Sequence, residues 1–196
     1  IIITVLFACL IGSSLLFYAG WELIIVGLLC VLFAFLYTTG PYPLSYNGWG
    51  DILVIVFFGF VPVGGTYYVQ ALTWTTDTTI ASLICGLLID TLLVVNNYRD
   101  READARSGKR TVIVRFGEKF GSYLYLMLGM TASLLCFWFL FEGHLYAALL
   151  PLLYLIPHFL TWKRMVRIHS GKKLNSILGE TSRNMLLMGI MLSIGF

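Results

Sequence analysis

Long apolar runs separated by short polar segments make up almost the whole chain. A membrane-spanning helix takes about 20 mostly apolar residues, and windows of that kind recur over residues 1–19, 21–38, 52–72, 78–97, 118–140, 144–162 and 181–196. The pattern predicts an all-α, polytopic membrane helix bundle with seven transmembrane helices, organised as a single transmembrane domain over 1–196. The first run lacks a basic leader and a small-residue cleavage site, so it reads as a span and not as a signal peptide. It starts at Ile1, with no initiator Met and already deep in apolar sequence, and the last run stops at Phe196 with barely a spanning length. Both ends predict a piece of a longer chain.

Composition agrees with the pattern: 59% of residues are hydrophobic and 12% charged, against roughly 25% charged in soluble domains. The mean hydropathy of +0.86 leaves no room for a soluble domain. Charge adds orientation. The loops after the second, fourth and sixth runs, with their flanks, hold all thirteen Lys and Arg residues, whereas the opposite loops hold only Glu22, Asp77 and Glu142. By the positive-inside rule the basic face is cytoplasmic.

One polar stretch on that face carries candidate chemistry. Between Asn96 and Gly117 lie three of the ten acidic and six of the thirteen basic residues. If the helix continues through Asp104, then Asn97, Asp100 and Asp104 fall within about 60° of one another at roughly 100° per residue. Two carboxylates and an amide then share a face, followed by Lys109, Arg110 and Arg115. Oxygen ligands suit Mg²⁺, which typically takes one or two carboxylates plus substrate phosphates, and basic side chains hold the remaining phosphate oxygens. An ordinary charged cytoplasmic loop accounts for the spacing equally well.

The loop from Tyr37 to Asp51, punctuated by Gly and Pro, holds Tyr37, Tyr42, Tyr46 and Trp49 and faces the same side. It reads either as one wall of a pocket for a flat ring or as an interfacial aromatic anchor. Pro62 and Gly64-Gly65 predict a kink in the third run. Asp90 lies inside the fourth run, seven residues before Asn97. It points either into a cavity capped by the polar stretch or to a structural hydrogen bond with a neighbouring span. Cys9, Cys30, Cys85 and Cys136 sit singly in apolar runs, which predicts inert thiols. His144, His158 and His169 have no ligand spacing, and the basic segment from Lys163 to Arg183 suits contact with anionic headgroups.

The run Asn96-Asn97-Tyr98-Arg99-Asp100, followed by Asp104 and by Gly108-Lys109-Arg110-Thr111-Val112-Ile113-Val114-Arg115-Phe116-Gly117, resembles the second Asp-rich motif of the UbiA-type intramembrane aromatic prenyltransferases. Its form, and the loop from Tyr37 to the segment Tyr46-Asn47-Gly48-Trp49-Gly50-Asp51, are similar to the bacterial branch that prenylates 1,4-dihydroxy-2-naphthoate on the route to menaquinone. The resemblance implies a nine-helix fold around a lipid-open cavity, with two Asp-rich motifs facing each other at its cytoplasmic mouth. The resemblance puts the first of those motifs between the family's second and third helices, and nothing in this sequence supplies it; if Ile1 lies inside the third helix, the first two helices and that motif are expected upstream.

It further implies Mg²⁺ bound by Asp100 and Asp104, with Asn97 beside them, and a polyprenyl diphosphate neutralised by Arg99, Lys109 and Arg115 with Asn96 and Asn97 orienting the site. The aromatic acceptor, whose carboxyl is lost as CO₂ in the naphthoate branch, would sit against Tyr37, Tyr46, Asn47 and Asp51. Asp100, Asp104 and Lys109 are the expected catalytic residues. The implied setting is the bacterial cytoplasmic (inner) membrane, with lipid as surroundings, and neither nucleic acid nor an obligate protein partner. The competing readings are another branch of the same family, acting on 4-hydroxybenzoate or homogentisate, a polytopic transporter built on Asp90 and the Pro62 break, and a noncatalytic scaffold.

Overall fold

The computed structural model describes residues 2–196; Ile1, where the first predicted run begins, lies outside the described residues. Seven helical rods follow the seven predicted runs, and no strand occurs among the described residues. They are α1 (Ile3–Ala19), α2 (Glu22–Thr38), α3 (Gly50–Ala71), α4 (Thr76–Arg106), α5 (Val112–Phe141), α6 (Leu145–Ile168) and α7 (Asn175–Gly195). The middle four, α3 to α6, are long and apolar enough to cross a membrane, and α1 and α2 are apolar but shorter. The architecture is an all-α polytopic bundle.

Helix ends depart from the predicted runs on the polar side. The fourth rod continues to Arg106, the fifth starts at Val112, the sixth reaches Ile168 and the seventh starts at Asn175. Hydropathy marks the stretch suited to hydrocarbon, whereas backbone hydrogen bonding continues into water as long as capping and propensity allow. Thr75 and Thr111 show how these rods start: each side-chain oxygen accepts from the backbone N–H three residues on, at 3.1 and 3.2 Å. Within α5, Gly117 breaks the helical dihedrals with φ +87°, a region open to glycine. It separates the short segment after Thr111 from the membrane helix that begins near 118.

The fourth rod is the centre of the bundle, packed on α3, α5 and α7. Its buried Ile84, Leu88, Val94, Val95 and Tyr98 meet Ile113, Tyr125 and Leu128 of α5 and Met188 of α7. Against α3 the backbones themselves touch. A Cβ on Gly59 would stand 2.5 Å from the Ser82 carbonyl oxygen, and one on Gly86 would stand 2.9 Å from that of Ile55. Small residues at such crossings let helices approach in lipid, where no hydrophobic force drives them together. The kink expected at Pro62 takes the form of a π-helical stretch, Ile55–Gly64, which accommodates the donor that proline removes.

The helices α5 to α7 are tied by polar contacts, most of them buried. Asn184 donates to Thr161 Oγ1 at 2.9 Å, Arg164 pairs with Glu180 at 2.6 Å, and the hydroxyls of Tyr125 and Thr181 meet at 3.0 Å. His158 is fully buried, bonded to the Tyr154 hydroxyl at 2.9 Å and stacked on Tyr125. It is part of the core. Outward faces are apolar, with Leu6, Phe7, Leu10, Phe58, Ile156 and Leu186 exposed. On a water-soluble protein so continuous a surface would aggregate; here it is the lipid-facing side.

The glycine contact generates a test. Gly86→Val is expected to destabilise the bundle by about 1–3 kcal/mol through overpacking, read as a lower thermal midpoint in detergent. Gly27→Ala, whose new methyl meets no heavy atom within 4 Å, is expected to leave that midpoint unchanged or slightly higher.

Candidate functional site

Three segments close one end of the bundle: the α2–α3 loop, the α4–α5 loop and the α6–α7 loop. The Arg110 N–H donates to the Tyr46 carbonyl at 2.7 Å, and the Arg115 guanidinium donates to the Asn47 carbonyl at 2.7 Å and to the Arg110 carbonyl at 3.1 Å. On the far side Arg101 donates to the His169 carbonyl at 3.0 Å. All thirteen Lys and Arg lie in these loops or in the helical turns beside them.

Under the tie between the first two loops is a cavity of about 380 Å³, within the size of small-molecule sites. Its walls come from the end of α2 (Tyr37, Thr38), the loop (Ser45, Tyr46), the start of α3 (Asp51) and one stripe of α4 (Leu93, Asn96, Asn97, Asp104), closed by Lys109 and Thr111. The short turn Leu44–Tyr46 is held in place by Ser45, whose hydroxyl donates to the Tyr37 carbonyl at 2.6 Å.

The Asp104–Lys109 pair has a backbone origin. The Lys109 N–H donates to the Asp104 carbonyl at 2.9 Å and the Gly108 N–H to the Ala105 carbonyl at 3.2 Å, with Gly108 at φ +78°. This is a Schellman stop, which needs glycine at the left-handed position and folds the next residue back over the last turn. The Lys109 ammonium therefore lies 3.3 Å from the Asp104 carboxylate. The spacing of Asp, Gly and Lys noted in the sequence is the spacing this stop requires.

The expected site residues divide into two sets. Tyr37, Tyr46, Asp51, Asn96, Asn97, Asp104 and Lys109 line the cavity. Arg99, Asp100, Arg115 and Asn47 do not. Arg99 grips Asp100 through both carboxylate oxygens at 2.7 and 2.6 Å, and also reaches Asn96 at 2.8 Å and Asn175 of α7 at 3.0 Å. Arg115 is committed to the loop carbonyls, and the Asn47 amide donates to the Pro43 carbonyl at 2.8 Å. Ser45, Thr38 and Thr111 join the wall without any sequence signal beyond their place in the two loops. No group of three or more His, Cys, Asp or Glu side chains clusters tightly enough to hold a metal alone among the described residues.

A second polar cluster lies on the far side of α4. Glu118 accepts from the Tyr98 hydroxyl at 2.8 Å, from Arg101 at 3.0 Å and from His169 at 2.5 Å. It joins α4, α5 and the α6–α7 loop, and its partners are too far apart in sequence to have been paired by spacing.

With this geometry in view, comparison with known proteins is direct. The UbiA prenyltransferase family model matches residues 1–185. The chain belongs to the UbiA prenyltransferase family, and is thus a multi-pass membrane protein. It is 34% identical over 192 residues to the 1,4-dihydroxy-2-naphthoate octaprenyltransferase of Haemophilus influenzae, covering 93% of this chain and 58% of that one. It is 39% identical over 142 residues to the protein of that name from Escherichia coli, covering 69% and 46%. The Mycobacterium tuberculosis protein of the same name is 43% identical over 119 residues, covering 61% and 40%. The chain thus spans about half the length of these curated relatives. No solved structure matches it.

The loop tie can be checked by hydrogen exchange. Charge-assisted hydrogen bonds contribute about 1.5–3 kcal/mol each, so Arg115→Ala is expected to speed amide exchange across residues 44–50 by roughly tenfold or more, with α4 unaffected. Unchanged exchange there removes Arg115 from the closure.

Proposed function

We propose that the protein containing this chain transfers a polyprenyl group from a polyprenyl diphosphate to an aromatic acceptor, 1,4-dihydroxy-2-naphthoate with loss of CO₂, in menaquinone biosynthesis. The observation that carries the reading is the cavity itself. Its lining brings Asp104, Lys109, Asn96 and Asn97 together with Tyr37, Tyr46 and Asp51. The first set suits a metal-bound diphosphate and the second a flat, hydroxylated ring. The names of the relatives supply the acceptor.

The donor set fits Mg²⁺. From the cavity wall Asp104 offers carboxylate oxygens and Asn97 an amide oxygen, and this ion keeps waters and takes substrate phosphates for the rest of its shell; Asp100, expected beside them, lies outside that wall. Bound there, it would supply charge neutralisation for the departing diphosphate. In the structure each carboxylate is paired with a cation, Asp104 with Lys109 and Asp100 with Arg99. With a diphosphate in the cavity, Lys109 would hold phosphate oxygens, which would free the Asp104 carboxylate as a ligand; Arg99 would add positive charge beside the cavity. The exposed apolar faces house the prenyl tail, which needs no polar partner. The concentration of Lys and Arg at this end supports a cavity that opens to the cytoplasmic side, and the bacterial relatives support the inner membrane as its setting.

The full-length protein in membranes is expected to prenylate 1,4-dihydroxy-2-naphthoate only with Mg²⁺, and to leave 4-hydroxybenzoate untouched. Product from the benzoate alone would move the acceptor to another branch, and product from neither would reject the reaction. Asp104→Asn is expected to abolish turnover with insertion intact; a wild-type rate would remove it from the site. Lys109→Ala should raise KM for the diphosphate about tenfold or more, on the scale of one lost charge-assisted hydrogen bond, with the acceptor KM unchanged.

A further inference from the structure

Two carboxyl groups remain unexplained by the arrangement above. The helices α3 and α4 run antiparallel, with Gly59 against Ser82 and Ile55 against Gly86. One more helical turn along each sets Asp51 opposite Asp90. Asp90 is 1% exposed, and Oδ1 of each aspartate is buried without a hydrogen-bond partner. Neither forms an ion pair among the described residues. The Tyr37 hydroxyl completes the layer, 3.5 Å from where a Cβ on Gly50 would stand. These three groups, from α2, α3 and α4, lie within electrostatic reach of one another; Lys109 and Arg99 are engaged elsewhere, by Asp104 and Asp100.

A buried carboxyl oxygen without a donor is expensive, and an ionisable side chain inside a membrane marks a functional site. Asp51 belongs to the cavity wall, so the missing donor can come from a ligand there. From Asp90 to Asp104, α4 rises about 21 Å at 1.5 Å per residue. That length separates the acidic layer from the Asp104–Lys109 mouth, enough for a ring and a diphosphate placed end to end.

We propose that Asp51 accepts the proton of a ring hydroxyl on the aromatic acceptor, and that Asp90 is the positioning residue that holds Asp51 toward the ring. The assignment rests on the prenyl transfer proposed above. In the step, the acceptor O–H bond breaks and its proton passes to the Asp51 carboxylate. The allylic C–O bond of the donor breaks, pyrophosphate leaves with the electron pair, and the ring carbon beside the oxyanion forms the new C–C bond. Loss of CO₂ from that carbon returns an electron pair to the ring oxygen, which takes the proton back from Asp51. No other oxidant, reductant or base is needed. The acceptor's own carboxylate is repelled by the acidic layer and turns toward the basic mouth, presenting its carbon to the donor.

The test uses the full-length protein in membrane vesicles, with prenyl transfer followed across pH and positional isotope exchange in the allylic diphosphate followed separately. Asp51→Asn is expected to lower transfer about 10²–10⁴-fold, the range for a lost general base. Isotope exchange should persist, and the rate should recover at alkaline pH, where solvent ionises the hydroxyl. Asp90→Asn is expected to reduce the plateau of the pH profile and to raise the acceptor KM, with donor KM unchanged. If Asp51→Asn transfers at the wild-type rate, or loses exchange and transfer together at every pH, the assignment to Asp51 is overturned. An unaltered pH profile in Asp90→Asn overturns the role of Asp90. A wild type that prenylates no aromatic acceptor overturns the reaction and the assignment with it, whereas a competent wild type beside a competent Asp51→Asn overturns the assignment alone.

Discussion

The backbone contact between α3 and α4 at Gly59 and Gly86 is the constraint on which the rest of the structure depends. It fixes the register of two antiparallel helices to a single choice, because any side chain larger than hydrogen at either place meets a carbonyl. From that register follow the level at which α3 begins, the opposition of Asp51 and Asp90, and the distance between the aromatic loop and the polar end of α4. Lipid supplies no force of its own to bring helices together. Close packing at small residues is what converts seven amphiphobic rods into one arrangement, and the central position of α4 makes it the frame for everything polar.

Polar groups are then confined to one end, and there they are organised chiefly by main-chain carbonyls. Arg110 and Arg115 do not meet carboxylates; they cap the Tyr46, Asn47 and Arg110 carbonyls and so hold an irregular, proline-rich loop over the cavity. Arg99 and Lys109 do meet carboxylates, and each compensates one charge of the acidic pair on α4. Both pairs are part-buried, so the cost of desolvating the charges offsets much of their attraction. They leave the two carboxylates at the end of α4 charge-compensated.

Most of this was legible in the sequence where the signal is local. Seven apolar runs predicted seven rods, and α4 continues past its apolar part as far as Arg106, so that Asn97 and Asp104 line the cavity while Asp100, expected on the same face, does not. The aromatic loop reads in the sequence as a pocket wall or an interfacial anchor, with Tyr37, Tyr46, Asn47 and Asp51 implied at the acceptor; Tyr37, Tyr46 and Asp51 line the cavity and Asn47 does not. What could not be read depends on contacts between distant segments. Asn175 lies 76 residues from Arg99, and together with Asn96 it turns the Arg99–Asp100 pair toward α7 and away from the cavity wall. Glu118 gathers Tyr98, Arg101 and His169 from three elements. The π-helical form of the Pro62 irregularity was likewise hidden, since proline announces a missing donor without saying how the neighbouring carbonyls are reallocated.

The stop at Gly108 has a consequence for how the mouth behaves in different media. Lys109 is beside Asp104 because two main-chain hydrogen bonds fold the chain there, and its charge is a passenger on that fold. Raising ionic strength weakens the attraction between the two side chains but does not loosen the turn that holds them together. Salt therefore tunes what arrives at the mouth and leaves its assembly untouched, so the place of the cation is written in backbone geometry and only its strength in electrostatics.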